Sequence, residues 1–171
     1  MNLSRYIALL LVSLLLAGEF QLVYAGTYDV GLGMGFVESS GGNGFEGGWD
    51  FQIGYERESA NDWHPGVQLH LIQGWTDKNR ANYDTNMSFD SAALYVTSRP
   101  NNGWLQLKGG LVFADYVSSL ETGHGTGLAA GAGIVLGEGD LRFHLLDMHR
   151  YYIDGHGFNV YTISLAILLR N

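Results

Sequence analysis

Hydrophobic and polar positions alternate almost strictly in the stretch TYDVGLGMGF, residues 27–36. Every second side chain is large and apolar, and the residues between them are Thr, Asp and three Gly. Because side chains alternate between the two faces of a β-strand, this pattern predicts a strand with two unlike faces. The second face is unusual for a soluble protein, since it carries glycine where charged side chains would be expected.

Seven further segments repeat the pattern, and we estimate strands of about 9–11 residues, the length of a tilted membrane-spanning strand. In the fourth segment Phe89 and Tyr95 share one parity while Leu94 and Val96 share the other, which a bulge or a mixed interior would explain. The seventh loses its alternation near Leu146. The seven segments are 49–56, 66–71, 88–97, 105–114, 128–136, 141–145 and 161–169.

Short and long connections alternate between these segments. Short, turn-rich links follow the even segments, at 58–62, 100–103 and 137–140, and longer polar links follow the odd ones, at 37–48, 76–87, 116–125 and 150–157. Short turns on one side and longer loops on the other are the layout of outer-membrane barrels. We therefore predict an all-β fold, an eight-stranded antiparallel up-and-down transmembrane β-barrel with both termini on the short-turn, periplasmic side.

The polarity of the two faces distinguishes two kinds of barrel. A soluble periplasmic ligand-binding barrel has its apolar residues inside, whereas a membrane barrel has them outside. The other face here is mostly Gly, Ala, Ser, Thr and Gln, which suits the crowded interior of eight strands. Lys and Arg avoid the apolar face, where one at the bilayer midplane would cost roughly 2–4 kcal/mol. We therefore expect lipid to contact Leu32, Ile53, Leu107 and Ile163, and keep the soluble barrel as an alternative.

Aromatic residues flank the predicted strands. Indole and phenol rings favour the headgroup zone of a membrane, because one end of each ring is apolar and the other is wet. We predict membrane-interface girdles that include Trp49, Trp63, Trp75, Trp104, Tyr28, Tyr55 and Tyr161. Tyr95, Tyr116 and Phe158 are expected to join them.

The first 25 residues have the pattern of a secretory signal peptide. Arg5 precedes the apolar run Ile7–Ala17, and Val23-Tyr24-Ala25 suits a cleavage site. The run is well short of the roughly 20 residues that a spanning helix needs. We expect cleavage after Ala25, leaving residues 26–171 as the outer-membrane β-barrel.

Composition narrows the function further. Charged residues make up 15% of the chain, against roughly 25% in an average soluble domain. The net charge of −8 argues against nucleic acid as a partner, because phosphate contacts need Lys and Arg. The chain has no cysteine, which excludes disulfides, thiolate chemistry and a lipid anchor on an N-terminal cysteine.

With these features the chain resembles the small eight-stranded outer-membrane barrels of Gram-negative bacteria, a group that includes adhesion and resistance barrels and lipid A deacylases. The resemblance rests on architecture and covers residues 26–171. Such barrels often end in an aromatic residue that assists assembly, whereas this chain ends Leu168-Leu169-Arg170-Asn171. The resemblance implies location in the outer membrane.

The resemblance to the deacylases also implies a histidine, a serine two residues later and an acid on the last strand, as a catalytic triad requires. Here Leu145 and Leu146 follow His144, and Asn159 stands about where the acid should be. No hydroxyl lies at the required spacing. We therefore assign no catalytic residue, and expect His144 to hydrogen-bond a neighbour inside the barrel.

Charged side chains on the inward parity predict a polar cluster in the lumen. Its members are Asp50, Glu56, Asp90, Lys108, Arg142 and His144. Charges in a narrow lumen must pair or be hydrated, so we expect Lys108 and Arg142 to pair with Glu56, Asp50 or Asp90. Eight strands rarely leave an open pore. A hydrated channel would instead be expected to run past Gly31, Gly33, Gly131 and Gly133.

His124, His149 and His156 lie in or near the third and fourth predicted long loops. Their spacing matches no metal-binding motif, so we expect solvated side chains. No metal site and no cofactor are predicted.

We therefore expect a structural or surface-interaction role carried by the long extracellular loops. The alternatives are a lipid A-modifying hydrolase and the soluble periplasmic ligand-binding barrel. Membrane lipids and lipopolysaccharide are the expected partners, and the protein is expected to be a monomer.

Overall fold

The computed structural model of the chain describes residues 26–39, 44–57, 59, 63–75, 88–100, 103–117, 122–137 and 140–170. These residues form eight antiparallel strands that close into one barrel, each strand pairing with the next in sequence and the last pairing with the first. The strands are β1 Gly26–Ser39, β2 Gly44–Arg57, β3 Trp63–Trp75, β4 Ser88–Pro100, β5 Leu105–Val117, β6 Thr122–Leu136, β7 Leu141–Ile153 and β8 His156–Arg170. The predicted up-and-down barrel is confirmed.

Two further points concern the predicted signal peptide and membrane-spanning helices. The signal peptide predicted at residues 1–25 lies outside the described residues. Within the part of the chain that the structure describes, no helix has the length and apolar character needed to cross a membrane.

The two faces of the wall have the predicted orientation. Leu32, Leu107 and Ile163 are 58%, 44% and 60% exposed on the outer surface. Gln52 and His70 are fully buried inside. Proteins that fold in water remove apolar side chains from it. An outer surface this apolar is therefore stable only where lipid hydrocarbon surrounds it. The alternative of a soluble barrel with an apolar interior is therefore wrong.

A β-bulge in β7 changes which parity faces inward. Leu145 and Leu146 both point outward, and the register of β7 against β6 and β8 shifts at this point. Before the bulge His144 faces the interior, and after it Asp147 and His149 do. The loss of alternation near Leu146 in the sequence is the mark of this bulge.

Three of the four predicted long loops are shorter in the structure than the sequence indicated. Strand pairing continues through nearly all of 37–48, 116–125 and 150–157, so that the links are residues 40–43, 118–121 and 154–155. Asp154 and Gly155 both have positive φ, at 49° and 87°, which is a type I′ hairpin turn between β7 and β8. The Asp-Gly dipeptide is itself a sequence signal for this turn. The connection at 76–87 alone keeps its predicted length, and it lies outside the described residues.

The interior changes character along the barrel axis. We call the end that carries the chain termini the terminal end and the opposite one the loop end. At the terminal end lies the terminal cluster, which consists of Asp29, Glu56, Arg99 and Arg142. Above it lies the central cluster, which consists of Asp50, Gln52, Gln68, His70, Tyr95, Lys108, Asp147 and His149. The loop end is filled by the aromatic plug, which consists of Val37, Ile72, Phe89, Val112, Tyr116, Tyr151, Ile153, Phe158 and Val160.

Candidate functional site

The terminal cluster is a network of ion pairs across the barrel. Arg142 donates from Nη1 to Asp29 Oδ2 at 3.2 Å and from Nη2 to Glu56 Oε1 at 3.5 Å. Arg99 holds the same Glu56 carboxylate with two hydrogen bonds, of 3.0 and 2.6 Å. Bidentate pairs of this kind fix the orientation of both groups. The cluster therefore ties β1, β2, β4 and β7 together at the terminal end.

A second set of hydrogen bonds crosses the middle of the barrel. The Lys108 ammonium forms an ion pair with Asp147 Oδ2 and donates to Gln68 Oε1 at 2.9 Å. Gln68 Nε2 donates to Gln52 Oε1 at 3.0 Å, and Gln52 Nε2 donates to Ser164 Oγ at 2.8 Å. Because buried amides and charges are costly without partners, this chain of bonds fixes the side chains in place.

Two histidines face each other across the central cluster. The Nδ1 atom of His70 lies 3.2 Å from Asp50 Oδ1, and that of His149 lies 2.8 Å from the Tyr95 hydroxyl. Their Nε2 atoms point toward Asp147, at 3.9 Å from Oδ2 for His70 and 3.4 Å from Oδ1 for His149. All five side chains are buried. His70, His149 and Asp147 each offer one possible metal-ligating atom, and these atoms lie within 4.8 Å of one another.

Small residues of β6 make room for this group. A Cβ atom added to Gly131 would lie 2.6 Å from the Met148 carbonyl oxygen and 3.3 Å from His149 Nδ1. One added to Gly133 would lie 2.8 Å from Asp147 Oδ1. The space beside both glycines is therefore occupied by the backbone of β7 and by side chains of the central cluster.

The structure places most of the predicted lumen residues inside the barrel. Asp50, Glu56, Lys108, Arg142 and His144 are buried there. Arg142 contacts Glu56, one of the acids expected as a partner. Lys108 instead pairs with Asp147, which had not been proposed as a partner for a cation.

The prediction for Asp90 is wrong. Asp90 is half-buried on the outer face of β4, where it lies opposite Asp115 of β5. The inward residues of β4 include Phe89, Ser91 and Tyr95. A mixed interior therefore explains the irregular pattern of this strand, and the pairing with β3 and β5 shows no bulge.

Some of the predicted girdle residues lie on the outer face of the barrel, and others are buried inside it. Trp49, Trp63 and Trp104 are exposed, and Tyr28, Tyr55 and Tyr161 are half-buried on the outer face, while the Trp75 side chain lies outside the described residues. Their role at a membrane interface stays a prediction. Tyr95, Tyr116 and Phe158 are buried inside the barrel, so the expectation that they join the girdles is wrong.

The three predicted loop histidines also differ from one another. His149 is buried in the central cluster, so its assignment to a solvated loop is wrong. His124 is exposed on β6, and His156 is half-buried at the start of β8 with its ring 6.0 Å from that of Tyr116. The bulge in β7 explains the error, because the alternation in the sequence is lost near Leu146, before Asp147 is reached.

The residues considered for deacylase chemistry do not come together. His144 lies inside the barrel. Asn159 is on the outward parity of β8, where its Oδ1 accepts a hydrogen bond of 2.6 Å from Arg150. His144 and Asn159 therefore lie on opposite sides of the wall.

A closed wall of eight antiparallel strands, apolar outside and polar within, defines a small transmembrane β-barrel. Three solved structures of Ail, the attachment invasion locus protein of Yersinia pestis, have a similar fold. The complex of Ail with the heparin analogue sucrose octasulfate matches with a TM-score of 0.58 and 15% identity, covering 84% of this chain and 99% of that one. Another crystal structure of Ail gives 0.56 and 16%, covering 85% and 99%. The backbone structure of Ail in a phospholipid bilayer nanodisc gives 0.51 and 19%, covering 84% and 99%.

At these identities the likeness concerns the fold. The predicted resemblance to small eight-stranded outer-membrane barrels is thus confirmed at that level. No protein-family model and no curated protein matches the chain.

Proposed function

We propose that the protein is an outer-membrane barrel with a sealed interior, which acts as a structural and surface-interaction protein rather than as a pore. The observation that carries this proposal is that side chains bridge the described interior at the terminal end, the middle and the loop end. Cross-barrel contacts of Arg142 with Asp29 and of Lys108 with Asp147 fill the terminal end and the middle. In this proposal residues 1–25 direct export and are removed.

The aromatic plug supports the same conclusion at the loop end. The ring of Phe158 lies 5.0 Å from the rings of both Phe89 and Tyr116, and Phe89 stacks on Tyr151 at 6.3 Å. Contacts at these separations leave little room for water between the rings. Ions would therefore have to cross both an apolar plug and the charged clusters beneath it.

The interaction surface in this proposal is the rim of the loop end, chiefly the connection at 76–87. The described residues of this rim carry more acids than bases: Arg150 is accompanied by Glu38, Asp90, Asp115 and Asp154. Ail was crystallised with a polyanion. An acidic rim repels polyanions, so we expect this chain to bind sucrose octasulfate more weakly than Ail does. Lipopolysaccharide, which is also anionic, would then bind through divalent cations.

Planar-bilayer recording on the purified, refolded protein tests the sealed interior. We expect no stepwise conductance at any voltage at which a porin in the same bilayer gives clear steps. Discrete steps from the wild-type chain would overturn the proposal. The same preparation, incubated with lipid A and analysed by mass spectrometry, is expected to release no acyl chain. Release that is lost in His144→Ala would instead establish the hydrolase alternative.

A further inference from the structure

Among the described residues, four buried polar atoms of the central cluster have no hydrogen-bond partner: Asp50 Oδ2, His70 Nε2, His149 Nε2 and Asp147 Oδ1. The last three converge on one another. Buried polar groups are nearly always satisfied in folded proteins, and leaving one unsatisfied costs roughly 1–3 kcal/mol. Three orphaned atoms that face one another therefore point to a missing common partner.

His70 Nε2 and Asp147 Oδ1 carry lone pairs toward the same point, and His149 Nε2 does so in the tautomer whose Nδ1 donates to the Tyr95 hydroxyl. Asp50 accepts the Nδ1 proton of His70 at 3.2 Å, which leaves Nε2 of that ring as an acceptor. The Tyr95 hydroxyl holds His149 at Nδ1, at 2.8 Å, and aims its Nε2 at Asp147. In that tautomer two ring nitrogens and a carboxylate oxygen repel one another unless a proton or a metal ion lies between them.

We propose that His70, His149 and Asp147 bind a divalent transition-metal ion of the Zn²⁺ type inside the barrel. Bonds of about 2.0–2.1 Å in a tetrahedral site place neighbouring ligand atoms about 3.3 Å apart. The Nε2 atom of His149 lies 3.4 Å from Asp147 Oδ1, and that of His70 lies 3.9 Å from Oδ2. The three candidate ligand atoms lie within 4.8 Å of one another. Side-chain movements that close this spread by up to about 1.5 Å complete a site with two imidazoles and one carboxylate, a ligand set that suits Zn²⁺ and neighbouring metals.

The surroundings of the site have the features of a metal centre. In such centres a ligating histidine usually donates its other ring N–H to a carboxylate, a carbonyl or water. Asp50 has this position behind His70, and Tyr95 has the corresponding position behind His149. The ion pair with Lys108 occupies Oδ2 of Asp147 and leaves Oδ1 toward the histidines.

The charge of the interior also favours a cation. The described interior carries four carboxylates, on Asp29, Asp50, Glu56 and Asp147, against three cationic groups, on Arg99, Lys108 and Arg142. With neutral histidines one negative charge is uncompensated. Charged groups are expensive to bury without compensation, so the unpaired carboxylate charge attracts a cation, and a divalent ion would change the net charge of these groups from −1 to +1.

The ion would link opposite sides of the barrel. His70 belongs to β3, whereas Asp147 and His149 belong to β7, and these strands do not pair with each other. Because the ion binds the folded barrel and has no preformed site in the unfolded chain, it stabilises the fold.

Refolding in detergent, with and without metal, tests this site. Because the interior is sealed, the metal must be present during refolding. Wild-type protein refolded with Zn²⁺ and then desalted is expected to contain one zinc per chain by elemental analysis. Protein refolded with Co²⁺ is expected to show the intense visible absorption of a tetrahedral site. Both are expected to unfold at a higher temperature than protein refolded with a chelator.

Variants with matched controls locate the ion. His70→Ala and His149→Gln are expected to lose the bound metal, and Asp50→Asn to weaken its binding about 10–100-fold. His144→Ala, another buried interior histidine, and His124→Ala on the outer surface are expected to keep it. Wild-type protein without bound zinc and without the cobalt spectrum would overturn the proposal, and so would equal metal loss in His144→Ala and His149→Gln. Since the wild-type spectrum is measured without any substitution, a variant that fails to fold does not decide the result.

Discussion

The terminal and central clusters contrast with the aromatic plug in the polarity of the interior, and the outer face beside the two regions also differs. Around the clusters, inward side chains such as Gln52 and Lys108 are polar, and outward ones such as Leu32 and Leu107 are apolar. Around the plug, Phe89 and Phe158 point inward and are apolar, whereas their outward neighbours Asp90 and Asn159 are polar. The barrel therefore needs lipid around its middle, and it fills its interior by two different means along its axis.

These two means differ in how much they depend on individual partners. Ion pairs and hydrogen bonds in the clusters are specific, so that losing one group leaves another buried and unsatisfied. Packing in the plug is non-directional, and volume-conserving apolar changes there usually cost less than about 1.5 kcal/mol. Substitutions in the clusters should therefore lower the free energy of unfolding much more than volume-conserving substitutions in the plug.

The largest effect is expected from Lys108→Met. This change removes the ammonium that pairs with Asp147 and leaves a carboxylate uncompensated in the interior. Removing one partner of a buried pair destabilises by roughly 3–5 kcal/mol. Urea unfolding in lipid vesicles with a chelator present measures the change in the free energy of unfolding.

Two controls define this effect. Ile72→Leu in the plug is expected to cost less than about 1.5 kcal/mol. The double variant Lys108→Met/Asp147→Asn is expected to recover most of the loss, because it removes both charges. Equal costs for Lys108→Met and Ile72→Leu would show that the two regions do not differ as described.

The same contrast explains how far the sequence predicts the structure. Where the two faces differ in polarity, as in β1 and β8, alternation predicts the strand, its orientation and its inward residues. In β4 both faces carry large apolar residues, Phe89 and Tyr95 inward and Leu94 and Val96 outward, so the parity of Phe89 and Tyr95 was misassigned and Asp90 was placed inside. Period-two patterns identify the polar part of the interior and lose their information beside the plug.

The candidate metal site depends on a second effect that alternation does not encode. The bulge at Leu145 and Leu146 moves β7 from even to odd inward parity, and thereby brings Asp147 and His149 into the interior. The paired leucines were a visible signal, since two consecutive large apolar residues interrupt an alternating strand. That Asp147 meets His70 of β3 depends on barrel closure, which no local pattern specifies.

An intermediate effect is expected from arginine on the outer face. Ile163 lies midway along β8 and is 60% exposed, whereas Leu169 lies near the terminal end opposite Tyr28. Ile163→Arg is expected to cost roughly 2–4 kcal/mol, and Leu169→Arg about 0–1 kcal/mol, because the cost of a charge falls toward the headgroups. Unfolding in vesicles measures both. Similar costs at the two depths would contradict a lipid-facing surface centred near Ile163.

The smallest effect is expected when isoleucine is replaced by valine, once inside and once outside the barrel wall. Ile72 is buried in the aromatic plug, and Ile163 is exposed on the outer face. Ile72→Val is expected to lower the free energy of unfolding by about 0.5–1.5 kcal/mol, because the packed interior cannot close the space left by one methyl group. Ile163→Val is expected to cost less, since fluid lipid chains can fill the space. Urea unfolding of both variants in the same vesicles makes the comparison. A larger loss of unfolding free energy for Ile163→Val would mean that the plug is loosely packed. The seal at the loop end would then be weaker than its ring contacts imply.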